Sequence, residues 1–258
     1  MEDNSYYKSC APIVDLNDDD RPVIGVVIAG GANTNEYKYA MAIEDGSLTS
    51  EYKADQTNST IKAYVDGVEK TLYSEDGDTT LQGISAGQYF QYTVNASDEV
   101  DGVDVIATSD MFALSNTDGE NASNIELATT ASSTLDSTVS GLAIITDFTA
   151  PVMTYTTAID ADAYNPITKT VSIPNGANAY VYDIKNGTVD KTTAKSALAD
   201  SKNSINVDKN VITDPNDDTV EAGSSYYGVY VRRATAADSD YTVGQVIEVV
   251  VFTNFDQD

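Results

Sequence analysis

The amino-acid sequence predicts an all-β protein of two tandem modules, each a small antiparallel barrel or sandwich, with at most one short helix. Three observations carry that prediction. Apolar residues recur at every second position or in short runs along nearly the whole chain, the pattern of strands, whereas helical 3.6 spacing is scarce. Side chains that suit a pleated, half-buried surface are abundant, with 17 Tyr and many Val, Ile and Thr among 258 residues. Asp66-Gly67 separates two such runs, and both residues of that pair take positive φ readily, as a type I′ hairpin requires.

The elements follow in chain order. After the acidic run Asp15 to Asp20, a strand is expected over Pro22 to Ala29, ended by Gly30-Gly31, with Tyr37 to Glu44 as its partner. Ile61 to Val65 and Val68 to Tyr73 flank the hairpin turn, Gly87 opens Gln88 to Val94, and Val103 to Ala107 closes the first set. Between Ser109 and Ser140 the composition shifts to Ser, Thr, Asn, Asp and Ala, which reads as a linker or a long edge excursion. Strand signals resume at Gly141 to Phe148 and continue through Val152 to Ile159, Thr170 to Ile173, Ala179 to Ile184, Tyr226 to Arg233 and Gln245 to Thr253. The one helical candidate is Thr192 to Asp200, from its Ala, Leu and Lys content. The organisation expected is an N-terminal arm over 1–20, a β module over 21–112, a Ser/Thr-rich linker or edge excursion over 113–140 and a second β module over 141–258.

The two halves echo each other. Ser85-Ala86-Gly87-Gln88 before one strand resembles Thr242-Val243-Gly244-Gln245 before another, and Ala63-Tyr64-Val65 resembles Ala179-Tyr180-Val181. Strand-forming sequences converge easily on such patterns, because Gly before a strand and Tyr-Val alternation are common.

Composition removes much chemistry. With no His there is no Ser-His-Asp or Cys-His relay and no HExxH zinc site, and one Cys supplies neither a CxxC pair nor an internal disulfide. Cys10 reads as a spectator thiol or as half of an intermolecular disulfide. A net charge of -27 repels phosphate backbones and anionic lipid, so nucleic acid is not an expected partner and cations or basic surfaces are. No stretch approaches the ~20 apolar residues of a transmembrane helix. The N-terminus is acidic and polar where a signal peptide is basic and then apolar, so the expectation is either a cytoplasmic protein or a piece of a longer precursor whose leader lies upstream of Met1.

Two acidic runs are candidate metal sites. Asp15, Asn17 and Asp19 place oxygens at alternate positions, as the first half of a calcium loop does, since a hard cation gathers six to eight of them. Asp20 stands where that loop needs Gly, and Val26 where it needs a bidentate Glu. Asp214, Asn216 and Asp218 repeat the theme without the frame. Each reads first as a solvated acidic loop and second as a shared or interface Ca²⁺ site, the one cofactor the sequence suggests; Asp98, Glu99, Asp101 and Asp104 form a weaker group. Tyr6-Tyr7 and Tyr226-Tyr227 could stack on a glycan or simply pack on a sheet. The sequons at Asn58, Asn95, Asn121 and Asn186 mark loops at most. No pair of carboxylates stands out as catalytic among 41 acids, and no catalytic residue is assigned.

Val23 to Val27, Tyr64 to Tyr73, Ala86 to Val94, Asn178 to Asp183 and Gly244 to Phe252 together resemble the C-terminal, non-anchoring β modules of bacterial surface-layer proteins that carry S-layer homology repeats elsewhere. This chain contains no such repeat and no sortase-type tail. The resemblance implies an extracellular, non-enzymatic structural or interaction segment at a bacterial cell surface, which self-associates or meets other surface proteins or glycans. The alternatives are a carbohydrate-binding or adhesin module using exposed tyrosines and an acidic soluble cation-binding protein.

Overall fold

The computed structural model describes residues 10–16, 22–28, 37–116, 122–128, 133–159, 168–199 and 228–253. The chain divides into two compact units, Met1–Tyr37 and Lys38–Asp258.

In the first unit β1 (Cys10–Leu16) pairs antiparallel with β2 (Pro22–Ile28). The strand expected after the acidic run is present, but its partner is CAPIVDL and not Tyr37 to Glu44. CAPIVDL is itself rich in apolar residues and lies five residues upstream, so pairing with it closes a short loop at little entropic cost. The segment assigned to an arm therefore contains a strand.

The second unit begins with β3 (Lys38–Ala42), β4 (Ser47–Thr49), β5 (Asn58–Val65), β6 (Val68–Asp76), β7 (Tyr89–Val94) and β8 (Val100–Ala107). These form one sheet in the order β3-β7-β8-β6-β5-β4, and β3 also pairs with β5, closing five of the strands into a small barrel. Most pairings are antiparallel as expected; β6 meets β8 in parallel through Ser74 and Val100. Period 2 then divides the side chains between two environments. Ala40, Ala42, Ile61, Ala63, Val65, Phe90, Tyr92 and Val100 are buried in the barrel's own core together with Leu81 and Ile84. Their neighbours Met41 and Tyr89 belong to a different core, shared with the C-terminal half.

The 109–140 region is richer in structure than a linker. It contains β9 (Phe112–Asn116) and β10 (Ala122–Leu127), which pair with each other and, through β10, with β13 (Ala158–Ile159). The remaining elements are β11 (Gly141–Thr149), β12 (Val152–Thr156), β14 (Lys169–Ser172), β15 (Asn178–Asp183), β16 (Thr188–Thr193), α1 (Ala194–Ala199), β17 (Gly228–Arg233) and β18 (Val246–Thr253). Seven of these strands make an open sheet ordered β14-β12-β11-β17-β18-β15-β16, in which β15 and β18 run parallel. β18 lies near its middle, and all eight of its residues are buried. The helix is where it was expected, packing on β15, β16, β11 and β18 through Ala194, Ala197 and Leu198. The described residues make an all-β fold with one short α-helix.

The echo between the halves is a turn repeated in detail. Gly87 and Gly244 take φ of 81° and 85°. Gln88 and Gln245 donate their backbone N–H to Ser85 (3.1 Å) and Thr242 (2.9 Å), and their side-chain Oε1 atoms accept the N–H of those same residues at 3.1 and 3.4 Å. The strands that follow enter different topologies, one a closed barrel and the other an open sheet.

Candidate functional site

The most extensive buried polar constellation among the described residues lies at the seam between barrel and open sheet. β7 contributes Tyr89, β15 Tyr180, β17 Arg232 and β18 Glu248, with relative exposures of 0%, 0%, 5% and 3%. Glu248 Oε2 accepts bonds from Tyr89 Oη at 2.5 Å and Arg232 Nε at 2.6 Å, and Oε1 accepts from Tyr180 Oη at 2.9 Å. Arg232 Nη1 donates to Asp238 Oδ1 at 2.7 Å, and the Tyr39 ring covers the guanidinium at 4.2 Å. Charges this deep are tolerated because each is paired and the remaining lone pairs and N–H groups are largely satisfied.

The barrel reaches the seam through its turns. At the Asp66-Gly67 hairpin tip the φ angles are 51° and 74°, as the sequence predicts, and the Gly67 N–H donates to Tyr180 Oη at 3.0 Å. A side chain at Gly67 would meet the Asn178 amide, and one at Gly87 would run into the Tyr182 ring. Tyr64 stacks on Tyr180 with ring centroids 5.7 Å apart, and Tyr89 packs on Tyr230 at 5.3 Å.

Electrostatics at the seam favour neutral phenols and a charged pair. Burial, reinforced by Glu248, pushes the Tyr89 and Tyr180 hydroxyls well above their usual range, so both remain hydrogen-bond donors. Burial alone would raise Asp238, but bonds from Thr235 and Arg232 outweigh it and hold the carboxyl below the usual Asp value. Arg233, beside Arg232, ties two loops together by donating to Gly244 O at 2.9 Å and Asp136 O at 3.0 Å. The two phenols and the guanidinium converge on one carboxylate and fix the four strands' side chains relative to one another.

The residues singled out from sequence fall elsewhere. Asp15 lies in β1 opposite Val23, while Asn17, Asp19, Asp214, Asn216, Asp218, Tyr6, Tyr7, Tyr226 and Tyr227 lie outside the described residues. Asp98, Glu99, Asp101 and Asp104 do not converge as a cation site. Asp98 pairs with Lys38 at 3.1 Å, Glu99 with Lys53, Asp101 with the Thr93 hydroxyl and Asp104 with Gln91 at 3.2 Å. Among the described residues no group of three or more acidic or Cys side chains is arranged to hold a metal. The sequon at Asn58 marks no loop: Asn58 begins β5, is fully buried, and donates its amide to Ser74 O at 2.8 Å.

Sequence reasoning missed Arg232 and Glu248. Their signal was present as one Glu inside the apolar run Val246 to Thr253 and the first of the two arginines ending GVYVRR, since a charge in a strand otherwise fit for a core implies a buried partner. No helix among the described residues is long and apolar enough to cross a membrane. No family model, curated protein or solved structure matches this chain.

Proposed function

We propose that this chain is a non-catalytic structural or interaction segment of a bacterial cell-surface protein of the surface-layer kind. The observation that supports the reading best is the saturated seam. The deepest charges in the described structure pair across neighbouring strands of the open sheet and accept the barrel's Tyr89 hydroxyl as well, which suits a part whose task is to keep its shape.

Assembly on this reading runs through charge more than through strand edges. The edges of the open sheet are β14 and β16, each short and carrying lysine (Lys169; Lys191), a pattern that discourages pairing with a neighbour's edge. Repulsion at -27 keeps copies apart until cations reduce it. Ca²⁺ gathered by Asp15, Asn17 and Asp19, or by Asp214, Asn216 and Asp218, would then promote ordered association with itself or with neighbouring surface proteins.

The test compares CaCl₂ with NaCl at matched ionic strength, reading association by light scattering and the melting temperature by calorimetry. The reading expects a larger response to calcium, because screening treats the two salts alike and coordination does not. Identical responses remove the metal. A monomer indifferent to both salts that binds glycans, and stops binding on Tyr226→Ala or Tyr227→Ala, replaces the whole reading with an adhesin.

A further inference from the structure

We propose that Lys53 and Asn95 are the two reactants of an intramolecular amide condensation that crosslinks one end of the barrel, with Glu99 carrying the proton between them. The inference rests on the geometry of these three residues and is independent of the surface-layer reading.

Lys53 belongs to the connection between β4 and β5, and Asn95 and Glu99 to the turn between β7 and β8. The fold brings the two loops together across 46 residues of sequence between Lys53 and Glu99. Glu99 is 6% exposed, and its two oxygens serve two nitrogens. Oε1 accepts from Lys53 Nζ, and Oε2 accepts from Asn95 Nδ2 at 3.2 Å. The Asn95 carboxamide is also held at its other end: Oδ1 accepts the backbone N–H of Ser97 at 2.8 Å and of Glu99 at 3.0 Å, while Nδ2 donates to Glu75 Oε1 at 2.5 Å.

Each part has a chemical role. Two N–H groups on Oδ1 polarise the carbonyl and are placed to stabilise an oxyanion there. One carboxylate that touches both amine and carboxamide nitrogen can take a proton from the first and deliver it to the second. The two loops hold the amine and the carboxamide on the two oxygens of one carboxylate, an anchoring that makes the aminolysis intramolecular. Glu99 removes a proton from the Lys53 ammonium, and the freed lone pair attacks Asn95 Cγ as the carbonyl electrons move to Oδ1. Glu99 then protonates Nδ2, the Cγ–Nδ2 bond breaks and ammonia leaves. The attacking nitrogen gives up its second proton to Glu99 and from there to solvent. The net change is a new Nζ–Cγ amide, one ammonia and one proton, with no oxidant or cofactor.

The resting pair is charged. The bond to Glu99 raises Lys53, and the bonds from Lys53 and Asn95 lower Glu99. The first proton transfer is therefore uphill and the reaction slow, and it should quicken as rising pH deprotonates the amine. The ionisable groups acting on Lys53 are Glu99, Glu75 and Tyr52, whose ring lies 5.0 Å from Nζ. In a chain with one Cys, such a tie would restrict the unfolded chain as a disulfide does.

The test is the intact mass of the full-length protein, incubated at neutral and at alkaline pH, followed by peptide mapping. A mass lower by one ammonia, with a branched peptide joining Lys53 to Asn95 and faster formation at the higher pH, is the expected result. Lys53→Arg, which keeps the ion pair but not the nucleophile, should show no loss, as should Glu99→Gln. Asn95→Asp should lose water in place of ammonia. A wild-type mass that stays at the sequence value after prolonged alkaline incubation overturns the proposal. So does ammonia loss without the branched peptide, which a succinimide at Asn175-Gly176 or Asn186-Gly187 would produce.

Discussion

Glu248 and Glu99 are both buried carboxylates bonded to a cationic side chain, yet the two sites differ in what surrounds them. At the seam, Glu248 meets a guanidinium and two phenols, none of which can be acylated or displaced under its influence. At the barrel end, Glu99 touches a primary amine and a carboxamide whose oxygen is already held by two N–H groups. Burial and charge pairing are shared; the identity of the partners decides whether a carboxylate locks a structure or can also move protons between reactants. Arg in place of Lys gives rigidity because a guanidinium stays protonated and binds as a fork.

The largest effect should follow from breaking the lock. Glu248→Ala leaves Arg232 buried with Asp238 as its carboxylate partner and removes the acceptor of two phenols. Loss of one member of a buried ion pair typically costs about 3–5 kcal/mol, which denaturant titration would read as a lower midpoint. Compared with wild-type protein in which the Lys53–Asn95 amide has not formed, Glu99→Gln should cost less at the barrel end, because Lys53 is 41% exposed and can turn to water. Equal losses at the two sites would end the distinction between them.

Alkali should attack the seam and barrel core together. Burial pushes Tyr92 up to about 12, against an ordinary value of 10.0, and holds Tyr89, Tyr180 and Tyr230 above their usual range as well. A group whose folded pKa is raised contributes stability that is complete below its unfolded pKa and disappears as pH rises through the folded one. Stability should therefore fall between pH 10 and about 12. Tyrosinate absorbance of the native protein should lag behind that of the denatured chain and then catch up as the fold is lost. Superimposable native and denatured titrations would contradict the burial of these hydroxyls. At the acid end the lowered Asp238 contributes stability that is lost as pH falls through its folded value, below the ordinary 3.8.

Single hydroxyls come next. Tyr180→Phe keeps the ring stack with Tyr64 but removes the bond to Glu248 and the acceptor for the Gly67 N–H. Hydrogen bonds to charged groups contribute about 1.5–3 kcal/mol each, and Tyr89→Phe should lie toward the lower end because it strands no backbone N–H. The order Tyr180 above Tyr89, measured in the same denaturant series, is the sharper part of the expectation.

How much of this was legible depends on the range of the interaction. Local chemistry was readable: Asp66-Gly67 adopts the turn its residues permit, Ala194–Ala199 is the helix, and the Gly87 and Gly244 turns share one hydrogen-bond scheme. Pairing between strands was less so. Pro22–Ile28 was visible as a strand, but alternation says which face is apolar and not which neighbour is chosen. The strands at Phe112–Asn116 and Ala122–Leu127 sit in a Ser, Thr and Asn background that masks their few apolar residues. The seam was least legible, because Tyr89 and Tyr180 look like any strand tyrosine until the fold stacks β7 against β15. The acidic runs drew attention by composition alone, whereas Lys53, Asn95 and Glu99 come together only through two loops remote in sequence.

The smallest expected effect concerns the residue next to Glu99. Asp98 lies on the same turn, with φ of 62°, and pairs with Lys38 at 3.1 Å, much as Glu99 pairs with Lys53. Its side chain is 82% exposed where that of Glu99 is 8% exposed. Water screens the Lys38–Asp98 attraction almost fully, and ordering a lysine side chain offsets much of what is left, so exposed pairs contribute about 0.2–1 kcal/mol. Lys38→Met should accordingly shift the unfolding midpoint by no more than that, with the remaining difference erased by added salt. The same substitution at Lys53 should cost more and resist salt, because it leaves Glu99 buried with Asn95 as its side-chain partner. If the two variants lose equal stability with equal salt dependence, the two pairs are equivalent surface contacts, and the contrast drawn between neighbouring acids on one turn disappears.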